Sequence, residues 1–112
     1  MNKIKVLYTS WIPRLLSLDG LVIYPFILLS TSYHDTLPST FKHEMMHVNQ
    51  IERDGLCRFY LQYCLYTFMY GYENNRYEIE AYSVENIALT QSELHRLHLP
   101  PNFPKTDNQM VM

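Results

Sequence analysis

The chain has 112 residues, which suits a single domain and leaves little surface for elaborate specificity loops. Its 47% apolar and 18% charged residues are typical of a globular protein and exclude a disordered one. The formal net charge is −2 and no run of Lys or Arg occurs, which excludes the electrostatic footprint of a nucleic-acid-binding protein.

The first third of the chain predicts a small sheet, over about residues 1–32. Residues 3–9 read as a short strand, residues 12–18 are ambiguous, and residues 21–30 read as a strand in which Pro25 marks an edge or a bulge. The apolar run in that second strand is shorter than the about 20 residues that a membrane span needs. The N-terminus also lacks the unbroken apolar region and small-residue cleavage site of a secretory signal.

A helix is predicted for residues 39–54, with Ser39 or Thr40 as its N-cap and Gly55 as its terminator. Its apolar residues recur at helical spacing and form one stripe that should face the core: Phe41, Met45, Val48 and Ile51.

The same helix contains the string KHEMMHVNQ, residues 42–50. His43 and His47 are four residues apart, so both imidazoles lie on one helix face, away from the apolar stripe, where they can bind one metal ion. Glu44 lies beside that face, within reach of a metal-bound water as a general base. The pattern predicts a zinc site.

A connecting helix is predicted for residues 56–71. Its aromatic residues are interpreted as part of a core helix with tyrosine hydroxyls at its edge, because its polar face lacks the Lys and Arg of a membrane-surface helix. Cys57 and Cys64 would lie ~10 Å apart on this helix, too far for a disulfide, and we expect core thiols. A cytoplasmic protein without a membrane partner is therefore expected.

A third helix is predicted for residues 75–90. Catalytic zinc takes three protein ligands, and Glu78 and Glu80 are the candidates for the third. The two lie about 200° apart round a helix, so they cannot both reach one metal ion. Ala81 would let this helix approach the histidine helix closely, and Tyr82, one turn after Glu78, could orient a ligand.

Residues 91–98 read as a short helix or as an extension of the third one. Residues 99–112 read as a proline-containing tail, of which about the last eight residues are expected to fray. The predicted fold class is therefore α+β, with a small sheet followed by helices.

The strings HEMMHVNQ and YEIEAY resemble the gluzincin group of zinc metallopeptidases, in which HExxH is completed by a glutamate on a later helix. Over about residues 20–90 the chain also resembles short peptidase-like proteins of phages and bacteria. The resemblance implies a minimal zincin-like fold, with Zn2+ held by His43, His47 and Glu78. It also implies Glu44 as the base and proton shuttle.

The chain departs from the gluzincin pattern at two points. Tyr82 stands where the related motif has Asp, which puts the support of a histidine by that residue in doubt. The motifs also do not place the residue that stabilises the transition state in this family. His34 and several tyrosines are the candidates.

Together these features predict a zinc-dependent peptide hydrolase that acts on a peptide or protein substrate through a metal-bound water, with Glu44 as general base. An extended substrate is expected along the strand at residues 21–30. The alternative is a catalytically weak or inactive zinc-containing binding or regulatory protein of the same fold. The oligomeric state does not follow from the sequence.

Overall fold

A three-stranded sheet occupies the N-terminal part of the chain. In the computed structural model, which describes residues 3–110, the strands are β1 (Lys5–Leu7), β2 (Gly20–Ile23) and β3 (Phe26–Leu29). Strand β3 lies in the centre, parallel to β1 and antiparallel to β2. Five α-helices complete the fold, so the predicted α+β class is confirmed.

The apolar run that predicted one strand at residues 21–30 forms the two strands of a hairpin instead. Tyr24 and Pro25, joined by a cis peptide bond, lie in its turn. Proline has no N–H to donate to a strand ladder, and the turn accommodates it, so the predicted edge or bulge was wrong. The hairpin buries Ile27 and Leu29 fully and leaves β2 at the edge of the sheet.

The ambiguous residues 12–18 begin with a short helix, α1 (Trp11–Leu15). The Ser10 hydroxyl accepts a hydrogen bond from the Ile12 N–H and caps its first turn. The N-terminal region therefore contains a helix as well as the sheet.

The histidine helix is α2 (Pro38–Asp54), which ends at Gly55 as predicted. Its apolar stripe is confirmed, because the side chains at 41, 45, 48 and 51 are all buried in the core. The predicted N-cap was wrong: Leu37 is the N-cap residue and Pro38 takes the first helical position, which its fixed φ favours. The Asp107 carboxylate instead accepts a hydrogen bond from the Ser39 N–H, at 2.9 Å.

The connecting helix is α3 (Leu56–Tyr70), with the predicted boundaries to within one residue. The interpretation as a core helix holds for one side only: Phe59 is buried and Tyr60, Tyr63 and Tyr66 pack against the core, whereas the other side is exposed. The expectation of core thiols was wrong, since Cys57 and Cys64 are exposed free cysteines. Over residues 3–110, no helix combines the length and the apolar character that crossing a membrane requires.

The third helix is shorter than predicted, and a separate helix follows it: α4 (Arg76–Val84) and α5 (Gln91–Arg96). Thr90 and Glu93 form a capping box, in which each side chain binds the backbone of the other residue, so a new helix starts there. The predicted close approach of the third helix is supported at Ala81, which is fully buried.

The C-terminal tail packs against the rest of the chain. Phe103 is buried in the core, and residues Asp107–Met110 form a 3-10 turn. The Leu89 N–H donates to the Lys105 carbonyl at 3.0 Å. The expected fraying was therefore wrong up to residue 110, and residues 111–112 lie outside the described part.

Candidate metal centre

Helices α2 and α4 bring two imidazoles and one carboxylate into a buried group. Glu78 Oε1 lies 2.9 Å from His43 Nε2 and 3.3 Å from His47 Nε2. All three side chains are buried, and one ligand-type atom from each lies within 4.8 Å of the others. The arrangement can hold a metal ion through two nitrogens and one oxygen.

The other ring nitrogen of each histidine is held by a separate partner. His43 Nδ1 lies 3.0 Å from Glu85 Oε2, and His47 Nδ1 lies 2.8 Å from Gln50 Oε1. The Gln50 amide nitrogen donates to the Tyr77 carbonyl at 3.0 Å, which directs its oxygen to His47. Partners of this kind hold the proton on Nδ1 and leave Nε2 to face the metal position.

Glu78 is the most strongly held member of the group. Tyr63, on α3, donates its hydroxyl to Oε2 of Glu78. Burial by itself raises the pKa of Glu78, but hydrogen bonds from His43, His47 and Tyr63 outweigh it and hold that pKa well below its ordinary value. The neighbours of the carboxylate therefore favour its charged form, in which it can act as an anionic ligand.

The pKa values of the two histidines shift in the opposite direction to that of Glu78. Burial lowers the pKa of His43 and of His47, whereas hydrogen bonding to Glu78 and the charge of Glu44 raise it, and the net shift is upward. The raised pKa means that protons compete with a metal ion for these nitrogens, so binding of a metal ion would release protons.

Glu44 lies beside this group with its carboxylate unpaired. Within residues 3–110 that carboxylate makes no hydrogen bond or ion pair, and burial raises its pKa. A Cβ atom at Gly20 would lie 3.0 Å from Glu44 Cδ, so the absence of a side chain there lets β2 approach the carboxylate closely. The charges of His47 and His43 offset part of that rise in pKa. A buried carboxylate that lines a cavity without a hydrogen-bond partner is typical of a group with a chemical role.

Two cavities meet at His43 and Glu44. The first has a volume of about 140 Å³ and is walled mainly by apolar and aromatic side chains of β2 and α3. The second has a volume of about 350 Å³ and is lined by polar side chains, among them Asp19, Thr40 and Glu85. Both include Tyr72, which the sequence analysis did not single out, so a cleft runs across the candidate metal position with one apolar and one polar end.

Tyr82 contacts His43 through its ring, with centroids 4.6 Å apart and the planes at 66°. It packs against the imidazole and does not hydrogen-bond to it. The Glu85 carboxylate, one turn further along, instead lies within hydrogen-bond distance of His43 Nδ1. The sequence contained a signal for this role, because Glu85 shares a face of the third helix with Glu78.

Two other predicted candidates lie outside the group. Glu80 accepts a hydrogen bond from Gln50 Nε2 at 2.8 Å and pairs with Arg53, so its carboxylate points away from the histidines. His34 packs its ring against Tyr33, with centroids 5.4 Å apart, and lines neither cavity. The geometry favours Glu78 as the third ligand and gives His34 no contact with the site.

No family model, no curated protein and no solved structure matches the chain significantly. The likeness to gluzincins therefore rests on the two sequence motifs, and the candidate site rests on its own geometry.

Proposed function

We propose that the chain is a zinc-dependent peptide hydrolase of the gluzincin type, with a minimal zincin-like fold. The observation that supports it most strongly is the buried group of His43, His47 and Glu78 beside the unpaired carboxylate of Glu44. Perturbed titratable groups at the bottom of a cleft are the usual setting of acid–base chemistry.

The donor set fits zinc. Two imidazole nitrogens and one carboxylate oxygen match catalytic zinc sites, whereas Mg2+ and Ca2+ prefer oxygen ligands. In a tetrahedral site with bonds of about 2.1 Å, ligand atoms lie about 3.4 Å apart. The distances of 2.9 and 3.3 Å from Glu78 Oε1 to the two Nε2 atoms are close to that spacing. When bound, zinc supplies a Lewis acid that acidifies a water molecule and polarises a carbonyl group.

Three residues of the chain are assigned the proton transfer, the positioning of a ligand and the stabilisation of the transition state. Glu44 takes the proton of the attacking water and passes it to the leaving amine, and its raised pKa suits a group that must both accept and release a proton. Tyr63 fixes the Glu78 carboxylate through its second oxygen. We assign to Tyr72, which lines both cavities, the hydrogen bond to the substrate carbonyl oxygen in the transition state.

The edge of β2 is the proposed place for an extended substrate. The Ser30 N–H donates to the Asp19 carbonyl, so the backbone of Asp19 faces β3. Backbone groups alternate in direction along a strand, and those of Gly20 and Val22 therefore point to the free edge of β2. The Tyr60 hydroxyl already donates to the Val22 carbonyl at 2.8 Å and accepts from the Tyr24 N–H at 3.1 Å. A peptide therefore adds to the edge at Gly20, beside Glu44.

The apolar cavity next to this edge is the proposed binding place for one substrate side chain and so sets which residue is preferred beside the cleaved bond. Its volume of about 140 Å³ is close to the about 150 Å³ of a cavity known to hold benzene. One branched aliphatic or aromatic side chain fills such a space. We therefore expect cleavage beside a large apolar residue.

The first test is the metal content of the purified protein. We expect about one zinc per chain in the wild type and its loss in His43→Ala and Glu78→Ala. The exposed Glu73→Gln variant is the matched control and should keep the metal. Wild-type protein without stoichiometric metal would remove the proposal.

The second test separates catalysis from binding. Glu44→Gln should keep zinc and lose hydrolysis of peptides that contain Leu or Phe by at least about 100-fold, because only the proton transfer is removed. Turnover by Glu44→Gln at the wild-type rate would show that Glu44 is not the base.

A binding or regulatory protein with the same metal remains the second candidate. The observation that favours it is Tyr60, which occupies backbone groups of the β2 edge that a substrate strand would use. In that case wild type and Glu44→Gln would both hold zinc and bind a peptide with equal affinity, and neither would cleave it.

A further inference from the structure

Helix α3 turns its more apolar face to solvent. The side that faces the protein carries Phe59 and three tyrosines, which wall the apolar cavity or pack against the core. The opposite side carries four large apolar side chains that are exposed over half or more of their surface: Leu61 (72%), Leu65 (50%), Phe68 (89%) and Met69 (56%). A surface helix of a monomeric protein normally shows the reverse pattern.

This apolar face, defined as residues 61, 65, 68 and 69 with the exposed Cys57 and Cys64 at its border, is almost free of charge. Arg58 is the only charged residue on the whole helix. Helices that lie on membrane surfaces carry several Lys or Arg on their polar side, which α3 lacks. An uncharged face of this kind can meet an identical face without like-charge repulsion along its length.

We propose that a second copy of this chain covers the face, through an antiparallel contact of the two α3 helices about a two-fold axis. The helix spans residues 56–70, so a contact centred on its midpoint sets Leu61 of one copy opposite Leu65 of the other. The same register sets Arg58 opposite Phe68 of the second copy. The one charge of the helix then lies over an aromatic ring, where a guanidinium is stabilised.

The exposed area is sufficient for such a contact. A large side chain presents about 150–250 Å² when fully exposed. With the exposed fractions of the four large residues, the face offers about 400–670 Å² per copy. The upper part of that range reaches the lower end of stable dimers, which bury about 600–1,000 Å² on each partner. The dimer is therefore expected to associate in the micromolar range.

The contact would also help to hold α3 in place, and the inward side of α3 packs against the candidate metal centre. The inward side of α3 supplies Tyr63, which donates to Glu78, and Phe59, whose ring lies 6.1 Å from that of His47. Phe59 is the only buried residue of α3, and Tyr60, Tyr63 and Tyr66 also pack against the core, so a covered outer face would add to contacts that the chain itself supplies.

The test is the mass of the 13.4 kDa chain in solution. Sedimentation of the wild type between about 1 and about 100 µM should show a shift from one chain to two. Leu61→Glu, which places a charge at the centre of the contact, should weaken association by at least about 100-fold. Ile87→Glu, at an exposed apolar residue outside α3, is the matched control and should dimerise as the wild type does.

Three results would overturn the proposal. They are a wild type that stays one chain at every concentration, a dimer that Leu61→Glu leaves intact, or a single chain that sediments with zwitterionic lipid vesicles. The first and last of these use the wild type alone, so they decide the matter even if Leu61→Glu does not fold. Circular dichroism of both variants shows whether the fold is kept.

Discussion

Both candidate ligand histidines present Nε2 to Glu78 because their Nδ1 atoms are already engaged. Gln50 holds His47 from within the same helix, three residues on, whereas Glu85 reaches His43 from the C-cap of α4. A ring held at one nitrogen loses the freedom to turn its other nitrogen away from the metal position. Residues that contact no substrate therefore prepare the site.

Removal of the Glu85 carboxylate is expected to weaken metal binding. Glu85→Ala should weaken zinc binding by about 10- to 100-fold while leaving the fold intact, because His43 loses the partner that orients it. The measurement is competition for zinc with a chelator of known affinity. Glu73→Ala, at an exposed acid without an ion pair in residues 3–110, should bind zinc as the wild type does. Unchanged zinc affinity in Glu85→Ala would show that the contact does not support the site.

Helix ends in this fold depend on residues from other parts of the chain. Helix α2 starts at Pro38 without a local side-chain cap, and Asp107, 68 residues away, accepts from the Ser39 N–H. The carboxylate also lies at the positive end of the helix dipole. The C-terminal turn thus belongs to the structure of the helix that carries the candidate ligands.

At the scale of the element we predict that this cap contributes to stability. Asp107→Ala should lower the free energy of unfolding by about 1 kcal/mol, since one N–H of the first turn loses its partner. Asn108→Ala changes the exposed neighbour in the same turn and should have a much smaller effect. Urea unfolding of the three proteins gives the comparison. Equal stabilities would mean that water replaces the Asp107 carboxylate without loss.

In the whole molecule, Glu52 joins three separate parts. Its carboxylate accepts from Arg96 of α5 at 2.7 and 3.0 Å and from the Tyr24 hydroxyl of the hairpin turn at 3.1 Å, while its backbone belongs to α2. The hydrogen bonds from Arg96 lower the pKa of Glu52 below its ordinary value, against the effect of burial. The sheet, α2 and the C-terminal region are therefore linked through one carboxylate.

The lowered pKa predicts how stability depends on pH. A carboxyl group with a lower pKa in the folded state stabilises the fold above its unfolded pKa, 4.5, and that contribution is lost as the pH falls through the folded value. Glu52→Gln should lower the unfolding free energy at pH 7 by about 1 to 2 kcal/mol. The difference from the wild type should shrink steadily below pH 4.5. Thermal unfolding across that range measures it, and a difference that is constant with pH would contradict the assignment.

The sequence by itself determined the features that depend on local spacing. The period of the apolar residues in α2 predicted its buried stripe, and the four-residue step predicted that His43 and His47 share a face. Gly55 marked the end of α2, where it adopts a positive φ that other residues avoid. Helical geometry is local, so a few neighbouring residues are sufficient to specify it.

Only the tertiary structure decided which distant residues meet. The direction of Glu80 toward Gln50 and Arg53, the contact of Glu85 with His43, and the cap from Asp107 all join segments that are far apart in the chain. The split of residues 21–30 into a hairpin and the exposure of α3 likewise depend on what packs against each segment. Such contacts result from the packing of the whole chain, and the periodicity of a single segment contains no information about its neighbours.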